Sequence, residues 1–154
     1  MIQTKYGDLL QAKGLIIHGV NSQGVMASGV AKQIRETYPE AYKHYIAGIE
    51  YDGKGVTGYC TYYIHSKDTI IVNAVTQKYY GRDSSVTYVS YDAVRSCFRE
   101  INKALSAFPN ITDINFPKIG AGLGNGNFEV ISKIIDEEID DRYNKILWLI
   151  DDKI

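Results

Sequence analysis

The sequence predicts an α/β fold with a mixed, mainly parallel six-stranded sheet and helices on both of its faces. Short apolar runs of strand length alternate with longer segments of helical period, which is typical of parallel strands joined by helical crossovers. Two glycine-rich segments each follow a strand and lead into a helix. In such folds ligands lie beyond the carboxyl ends of the strands, so these two loops are the first candidates for a site.

The strands are predicted from apolar runs rich in β-branched and aromatic residues. An N-terminal strand precedes five such runs. Together with the four predicted helices described below, these strands give the order β-β-α-α-β-β-α-β-α-β. The last run, ILWLI, is continuous and suits an inner strand that is buried on both faces. The five runs are Leu15–Val20, Tyr59–Ile64, Thr69–Val75, Ile114–Pro117 and Ile146–Ile150.

The first two helices are predicted on either side of a proline. Gly29–Thr37 forms the first helix and ends before Pro39. Proline suits the first turn of a helix, so Pro39 begins the second one. The apolar side of this second helix carries Tyr42, Tyr45, Ile46 and Ile49.

The last two helices are predicted from a capping residue followed by apolar residues at helical spacing. Ser90 caps the third helix, which Pro109 ends, and Asn127 caps the fourth. The inward residues of the third helix are Val94, Phe98, Ile101, Leu105 and Phe108, and those of the fourth are Val130, Ile131, Ile134, Ile135 and Ile139. The outer face of the fourth helix, predicted to be solvated, holds Asp136, Glu137, Glu138, Asp140 and Asp141.

Composition limits the classes of partner. With 154 residues, the chain has the length of one domain. Lys and Arg total 17 against 18 Asp and Glu, so a net charge of −1 disfavours broad nucleic-acid or membrane binding. Cys60 and Cys97 lack a metal-binding spacing and predict free thiols in a reducing, cytoplasmic compartment. We expect no metal site, no cofactor, no membrane segment, and a monomer by default.

The two loops have the residues of an anion site. The first loop reads HGVNSQGVMASGVA, and the second reads PKIGAGLGNGNF, with four glycines between residues 120 and 126. Glycine allows backbone N–H groups to turn toward a ligand, and a helix N-terminus adds further unpaired N–H groups. A diphosphate between the loops is one interpretation, and two tight turns are the other.

These motifs resemble the macro domain family. The resemblance rests on Tyr6-Gly7-Asp8-Leu9 at the end of an N-terminal strand, on the two loops and on the closing strand ILWLI. It covers nearly the whole chain and implies a three-layer α/β/α macro domain fold over residues 1–154. It also implies a small-molecule ligand of the ADP-ribose type.

The resemblance assigns ligand contacts to matching positions. Asp8, with Leu9 beside it, would accept a hydrogen bond from the adenine amino group, and Asn21 would bind the distal ribose. The remaining contacts would come from the first loop through Gly24, Val25, Ser28, Gly29 and Val30, and from the second through Ile119, Gly120, Ala121, Gly122, Leu123, Gly124 and Asn125. The alternatives are a turn or cap acid for Asp8 and a loop-stabilising amide for Asn21.

Departures from the family's hydrolase motifs bear on catalysis. His18 replaces an asparagine, residues 27–29 read Ala-Ser-Gly instead of three glycines, and Ala31 replaces an aspartate. In the branch with a catalytic lysine and aspartate, those positions fall at Gln77 and Gly124. These differences disfavour both glycohydrolase mechanisms.

The His-x-x-Asn form resembles small stand-alone proteins that hydrolyse ADP-ribose 1″-phosphate, as well as bacterial and phage relatives. His18 is then a candidate for nucleophilic or acid–base work, since an unperturbed histidine titrates near neutrality. Asn21 is the second candidate catalytic residue. The alternatives are a structural histidine, a non-catalytic module that reads or sequesters ADP-ribose or a related signal, and a hydrolase that removes ADP-ribose from macromolecules.

Several further residues are left with two interpretations. Tyr79, Tyr80 and Arg82 follow a strand end on the ligand side of the sheet, where an aromatic ring can stack and an arginine can bind phosphate. They fit a plain solvent loop equally well. Lys78 adjoins the position of Gln77, and Lys118 adjoins the second loop. The pattern assigns no role to these residues.

Overall fold

The computed structural model describes residues 1–27 and 29–150. In this part of the chain the elements follow the predicted order, with six strands and four α-helices. The strands are β1 (Ile2–Tyr6), β2 (Gly14–Asn21), β3 (Cys60–Ser66), β4 (Thr69–Gln77), β5 (Asp113–Phe116) and β6 (Asn144–Leu149). The helices are α1 (Gly29–Thr37), α2 (Pro39–Asp52), α3 (Tyr91–Ala104) and α4 (Phe128–Glu138).

The strands form one sheet in the order β1-β6-β5-β2-β4-β3. Every pairing is parallel except that of β3 with β4. This confirms the predicted mixed, mainly parallel sheet. The strand β2 lies between β5 and β4, so the loops that follow these three strands meet at one edge of the sheet.

The connections from β2 and β5 diverge. From β2 the chain passes through α1 and α2 to β3 and β4, on one side of the sheet order, and from β5 it passes through α4 to β6 on the other side. Neighbouring parallel strands whose connections diverge leave a crevice between their loops. The topology therefore opens a cleft between the two glycine-rich segments.

The helices form two layers on opposite faces of the sheet. Alternate side chains of β2 enter different cores, because successive side chains of a strand point to opposite faces. Ile16 and Val20 pack with α1 and α2, whereas Leu15 and Ile17 pack with α3 and α4. The result is the predicted three-layer α/β/α arrangement.

The predicted helix starts are confirmed. Ser90 Oγ accepts a hydrogen bond from the Ala93 N–H at 3.1 Å, and Asn127 Oδ1 accepts one from the Glu129 N–H at 2.9 Å. Pro39 lies in the first turn of α2. No helix of the described ranges has the length and apolar character needed to cross a bilayer.

Three details of the predicted helices are wrong. The helix α3 ends at Ala104 and continues as a 3₁₀ turn over Leu105–Ala107, so Phe108 lies beyond the helix, with φ −124° and ψ 73°. The physical reason is that the ring of Pro109 disfavours helical geometry at the preceding residue. Val130 is 41% exposed because it lies at the edge of the apolar stripe, one position before Ile131, which is buried.

The acidic face of α4 is the third correction, because it is not simply solvated. The side chain of Glu138 is 12% exposed and accepts hydrogen bonds from Arg95 and Arg99, which lower its pKa, with Arg99 contributing most. Asp136 pairs at 2.9 Å with Lys145, whose side chain is fully buried. Two of the acids therefore bind α4 to α3 and β6.

Candidate functional site

A cleft opens at the carboxyl ends of β2, β4 and β5, with a volume of about 900 Å³. This lies within the range of about 300–1,000 Å³ that is usual for small-molecule sites. Most of the predicted site residues line it. They are His18, Asn21, Val25, Gly29, Val30, Ile119, Gly120, Ala121, Gly122, Leu123 and Gly124.

Four predicted residues lie outside the lining of the cleft, namely Asp8, Leu9, Gly24 and Asn125. Ser28 lies outside the described residues. Asp8 is exposed, and its Oδ1 accepts a hydrogen bond at 2.9 Å from the Leu10 N–H, at the start of a 3₁₀ helix. Leu9 is buried in the core formed with α1 and α2. The cap interpretation of Asp8 therefore has a structural basis, and its second oxygen stays available.

The first wall of the cleft is the asparagine loop, residues 21–27. The Oδ1 atom of Asn21 accepts hydrogen bonds from the N–H groups of Gln23 at 3.0 Å and Val25 at 3.3 Å, and its Nδ2 donates to the Val25 carbonyl at 2.8 Å. The hydroxyl of Tyr45, from α2, lies 2.5 Å from the Asn21 carbonyl oxygen. The amide thus holds the loop together, and one of its two N–H groups has no partner among the described residues.

The second wall is the glycine-rich loop, residues 120–126. Gly120 has a φ of +74°, and a methyl group there would lie 2.6 Å from Val89 Cγ2 and 3.0 Å from Ile131 Cδ1. Gly122 has no neighbour within 4 Å of such a methyl group. The protein's own packing therefore requires glycine at 120 but not at 122.

Three successive backbone donors of the glycine-rich loop have no acceptor among the described residues. Within the described ranges the N–H groups of Gly122, Leu123 and Gly124 make no hydrogen bond to the protein, while the Gly126 N–H donates to the Gly120 carbonyl at 2.7 Å. The exposed N-terminus of α1, at Gly29, borders the opposite side of the cleft. Unpaired N–H groups and a helix N-terminus together form an anion-binding environment.

The third wall is the tyrosine loop, residues 78–90, between β4 and α3. It is tied to the glycine-rich loop because the Tyr88 and Val89 N–H groups donate to the Gly124 carbonyl at 2.8 and 3.2 Å. The Nδ2 atom of Asn125 donates to the carbonyls of Asp83 at 3.0 Å and Val86 at 2.7 Å. Asn125 therefore joins two walls instead of lining the cleft.

His18 is buried below the mouth of the cleft, with 1% of its surface exposed. Its Nε2 lies 2.6 Å from Asn73 Oδ1, and its Nδ1 has no hydrogen-bond partner among the described residues. Because amide oxygen only accepts, Nε2 carries the proton. Burial lowers the pKa of His18 to about 4, so the ring is neutral at pH 7. The pKa of His18 therefore lies well below the unperturbed value from which its acid–base role was predicted.

Asn73 was missed by sequence reasoning, although it stands inside the apolar run TIIVNAV. A buried amide needs partners, and its Nδ2 donates at 3.0 Å to both the Ala41 carbonyl and Thr61 Oγ1. A polar residue in the middle of a buried strand was the signal that could have revealed this network.

The end of β4 and the tyrosine loop contribute residues whose role the sequence left open. Gln77, Tyr80 and Arg82 line the cleft, whereas Lys78 does not. The Lys78 chain packs toward Gly55, with its ammonium 5.3 Å from the centre of the Tyr79 ring. The residue in the lining at the end of β4 is therefore a glutamine and not a lysine.

The charge of the cleft is positive. Among its described lining residues the only charged side chains are Arg82 and Lys118, and no carboxylate is present. No group of three or more His, Cys, Asp or Glu in the described ranges is arranged to hold a metal ion. The residues missed in the lining are mostly small or apolar: Gly19, Val20, Ala27, Ala31, Gly81 and Pro117.

Comparisons with known proteins agree with this geometry. The Macro domain family model matches residues 17–135. An uncharacterized 17.5 kDa protein of Enterobacteria phage T4 is 28% identical over 121 residues, which cover 79% of this chain and 77% of that protein. A DNA ADP-ribosyl glycohydrolase of Thermus aquaticus is 23% identical over 155 residues, covering 97% of this chain and 41% of that protein.

Among solved structures, Thermosipho africanus DarTG in complex with ADP-ribose has a TM-score of 0.79 at 16% identity, covering 99% of this chain and 43% of that chain. This chain thus spans less than half the length of the Thermus and Thermosipho proteins. The residues that match the family model include both loops that form the cleft and the whole of β3, β4 and β5. The chain belongs to the Macro domain family.

Proposed function

We propose that residues 1–154 form a single macro domain that binds ADP-ribose or a close derivative in the cleft between the asparagine loop and the glycine-rich loop. One observation carries the proposal: a cleft of about 900 Å³ has unpaired backbone N–H groups on one wall, a helix N-terminus on the opposite side and no carboxylate in its described lining. This environment suits a diphosphate without needing a basic protein surface. The ADP-ribose complex of the Thermosipho protein supports it.

Each part of the ligand has a proposed position. The diphosphate lies between Gly122 and the N-terminus of α1, and the distal ribose lies near the unused N–H of Asn21. The adenine lies toward Asp8, whose free oxygen accepts from the amino group, with Leu9 beneath. The apolar residues of the lining, such as Val25 and Ile119, exclude water from the sugar and the diphosphate.

Calorimetric titration with ADP-ribose tests the proposal. We expect saturable one-to-one binding, and Asp8→Ala weakens it by about 1–3 kcal/mol through the lost hydrogen bond. Asp68→Ala is the matched control, since it removes a carboxylate from the turn between β3 and β4. Absence of binding by the unchanged protein contradicts the proposal, and equal affinities of Asp8→Ala and the unchanged protein contradict the assigned position of the adenine.

The narrower proposal is hydrolysis of ADP-ribose 1″-phosphate to ADP-ribose and phosphate. In this reaction water attacks phosphorus, the bond from phosphorus to the 1″-oxygen breaks, and that oxygen takes up a proton. The cationic lining favours a substrate with an additional phosphate. His18, which is neutral and carries its proton on Nε2, is suited to accept a hydrogen bond at Nδ1 and not to act as an acid.

A panel of two substrates separates the candidate activities. Phosphate release from ADP-ribose 1″-phosphate that disappears in His18→Ala supports the phosphatase. Release of ADP-ribose from an ADP-ribosylated DNA oligonucleotide supports the activity named for the Thermus relative. The presence of Gln77 in the lining, with Lys78 turned away, disfavours a lysine-dependent glycohydrolase. Binding of ADP-ribose with neither product leaves a non-catalytic reader or sequestering module.

A further inference from the structure

The strand β3 forms one edge of the sheet. It has a strand partner, β4, on one side only, and no strand of the described ranges lies beyond it. An edge strand presents unpaired N–H and C=O groups, which proteins protect with charged side chains, proline or a very short strand. β3 has seven residues, and residues 56–66 contain no Asp, Glu, Lys, Arg or Pro.

The opposite edge of the sheet, β1, is different. It is five residues long and carries Lys5, and its residues from Gln3 to Tyr6 are exposed. A lysine on an edge strand opposes pairing with another strand, because the pairing would bring its charge against the partner. Of the two edges, only that of β3 lacks a charged residue within the strand.

The outward backbone groups of β3 belong to Cys60, Tyr62 and Ile64. The Cys60 N–H donates to a carboxylate oxygen of Glu100 at 3.3 Å, so it points away from β4. Along an antiparallel pair, residues that bond to the partner strand alternate with residues that point away, and the register is continuous from Cys60 to Ile64. Because Glu100 occupies the Cys60 donor, Tyr62 and Ile64 are the residues with both backbone groups available.

Apolar side chains flank this edge on both faces of the sheet. On the face that carries α3, Ile64 is 59% exposed. On the other face the ring of His44, from α2, lies 5.7 Å from that of Tyr63. Tyr51 follows His44 by seven residues, which places it on the same side of α2, and it is 90% exposed. The edge is therefore bordered by exposed apolar groups above and below.

We propose that β3 is the interface of a homodimer, in which two copies of the chain pair their β3 strands antiparallel about a two-fold axis. A second copy is the occupant that fits, because a two-fold axis places the same uncharged segment against itself and no like charges meet. The outward groups define the register. Tyr62 pairs with Ile64 of the second copy, and its ring covers that exposed side chain.

The dimer leaves both ligand clefts open. None of the residues that line the cleft belongs to β3 or α2. Antiparallel pairing reverses the direction of the strands across the two-fold axis, so the two clefts open at opposite edges of the joined sheet. The inference does not depend on the proposed function, and it makes the protein a carrier of two independent sites.

Sedimentation equilibrium of the full chain tests the dimer, from low micromolar to submillimolar concentrations. We expect the unchanged protein to reach twice the mass of one chain, and Ile64→Lys to stay a monomer, because its ammonium group lies within the paired strands. Thr4→Lys, which adds the same charge to β1, should leave the dimer intact. A monomeric unchanged protein, or a dimer that persists in Ile64→Lys, overturns the proposal. Dissociation in Thr4→Lys contradicts the assignment to β3.

A disulfide cross-link tests the register. The two-fold axis places residue 63 opposite itself in a non-hydrogen-bonded pair, with Cα atoms about 4.5 Å apart, a distance that a disulfide can span. With glutathione disulfide as the oxidant that accepts the two electrons, Tyr63→Cys should give a covalent dimer on non-reducing electrophoresis. Thr61→Cys is the matched control, because it lies opposite His65 and not opposite itself. Equal cross-linking of both variants, or of neither, contradicts this register.

Two further measurements separate loss of the dimer from loss of the fold. Tyr51→Glu changes an exposed helix residue outside the sheet, and we expect it to raise the dissociation constant of the dimer by at least about tenfold. Ile64→Lys and Tyr51→Glu should keep the ADP-ribose affinity of the unchanged protein, since neither residue lines the cleft. A dimer as stable in Tyr51→Glu as in the unchanged protein contradicts burial of this ring. A dimer that binds no ADP-ribose contradicts the proposed function alone.

Discussion

The asparagine loop is held by one polar side chain, that of Asn21, whereas the glycine-rich loop is held at Gly120 and Gly126 by close backbone packing against Val89 and Ile131, with Asn125 adding hydrogen bonds to the tyrosine loop. In the first wall the hydrogen bonds of a buried amide define the path of the backbone. In the second, the absence of side chains at Gly120 and Gly126 lets the backbone approach apolar groups. The two walls of the cleft therefore differ in the interactions that hold them, and they should fail under different perturbations.

The largest expected effect is on the glycine-rich loop. Gly120→Ala places a methyl group 2.6 Å from Val89 Cγ2 at a positive φ, so we expect a loss of about 2–4 kcal/mol in the free energy of unfolding. Gly122→Ala is the matched control, with a change within about 0.5 kcal/mol. Urea unfolding of the two variants measures the difference. Equal stabilities contradict the distinction between the two glycines.

The next effect concerns His18, on the strand that leads into the asparagine loop. Its pKa is about 4 in the folded chain against 6.5 in the unfolded one, so the unfolded state binds more protons between these values. The free energy of unfolding is therefore highest above pH 6.5 and falls as the pH drops toward 4. This group alone lowers it by about 3 kcal/mol. Urea titrations at several pH values should show this slope, and it should be absent in His18→Gln. An unchanged slope in that variant contradicts the assignment.

The asparagine loop should be sensitive to loss of the Asn21 side-chain amide. Asn21→Ala leaves the N–H groups of Gln23 and Val25 without their acceptor, and we expect a loss of about 1–3 kcal/mol in the free energy of unfolding. Tyr45→Phe removes only a hydroxyl and should cost about 1 kcal/mol. A double variant that loses less than the sum of the two supports one shared network, because residues in contact are not additive.

The smallest effect on stability, with a specific effect on binding, is expected at Gly122. Gly122→Val enters open space in the free protein, so folding is unchanged. The side chain occupies the place where the proposed diphosphate approaches the backbone, and we expect affinity for ADP-ribose to fall by about tenfold or more. Calorimetry compares it with Gly122→Ala, for which a smaller loss is expected. Full binding by Gly122→Val places the diphosphate elsewhere.

Much of the site was accessible from the order of the elements. Because parallel strands end at one edge of a sheet, the loops after Asn21 and after Phe116 had to meet, and they do. The glycine pattern predicted the location of the cleft but not the reason for each glycine. Contacts with Val89 and Ile131, which lie 31 positions before and 11 positions after Gly120 in the chain, distinguish Gly120 from Gly122.

Local periodicity, capping and strand direction were enough to predict the alternation of strands and helices, the caps at Ser90 and Asn127, and the edge of the sheet where the cleft lies. The neutral His18 bonded to Asn73, the link that Asn125 makes between two loops, and the pairing of Glu138 with arginines of α3 depend on tertiary contacts. These partners are 39 to 55 positions apart in the chain. Their pairing depends on how layers pack, and the periodicity of a single segment carries no information about that packing.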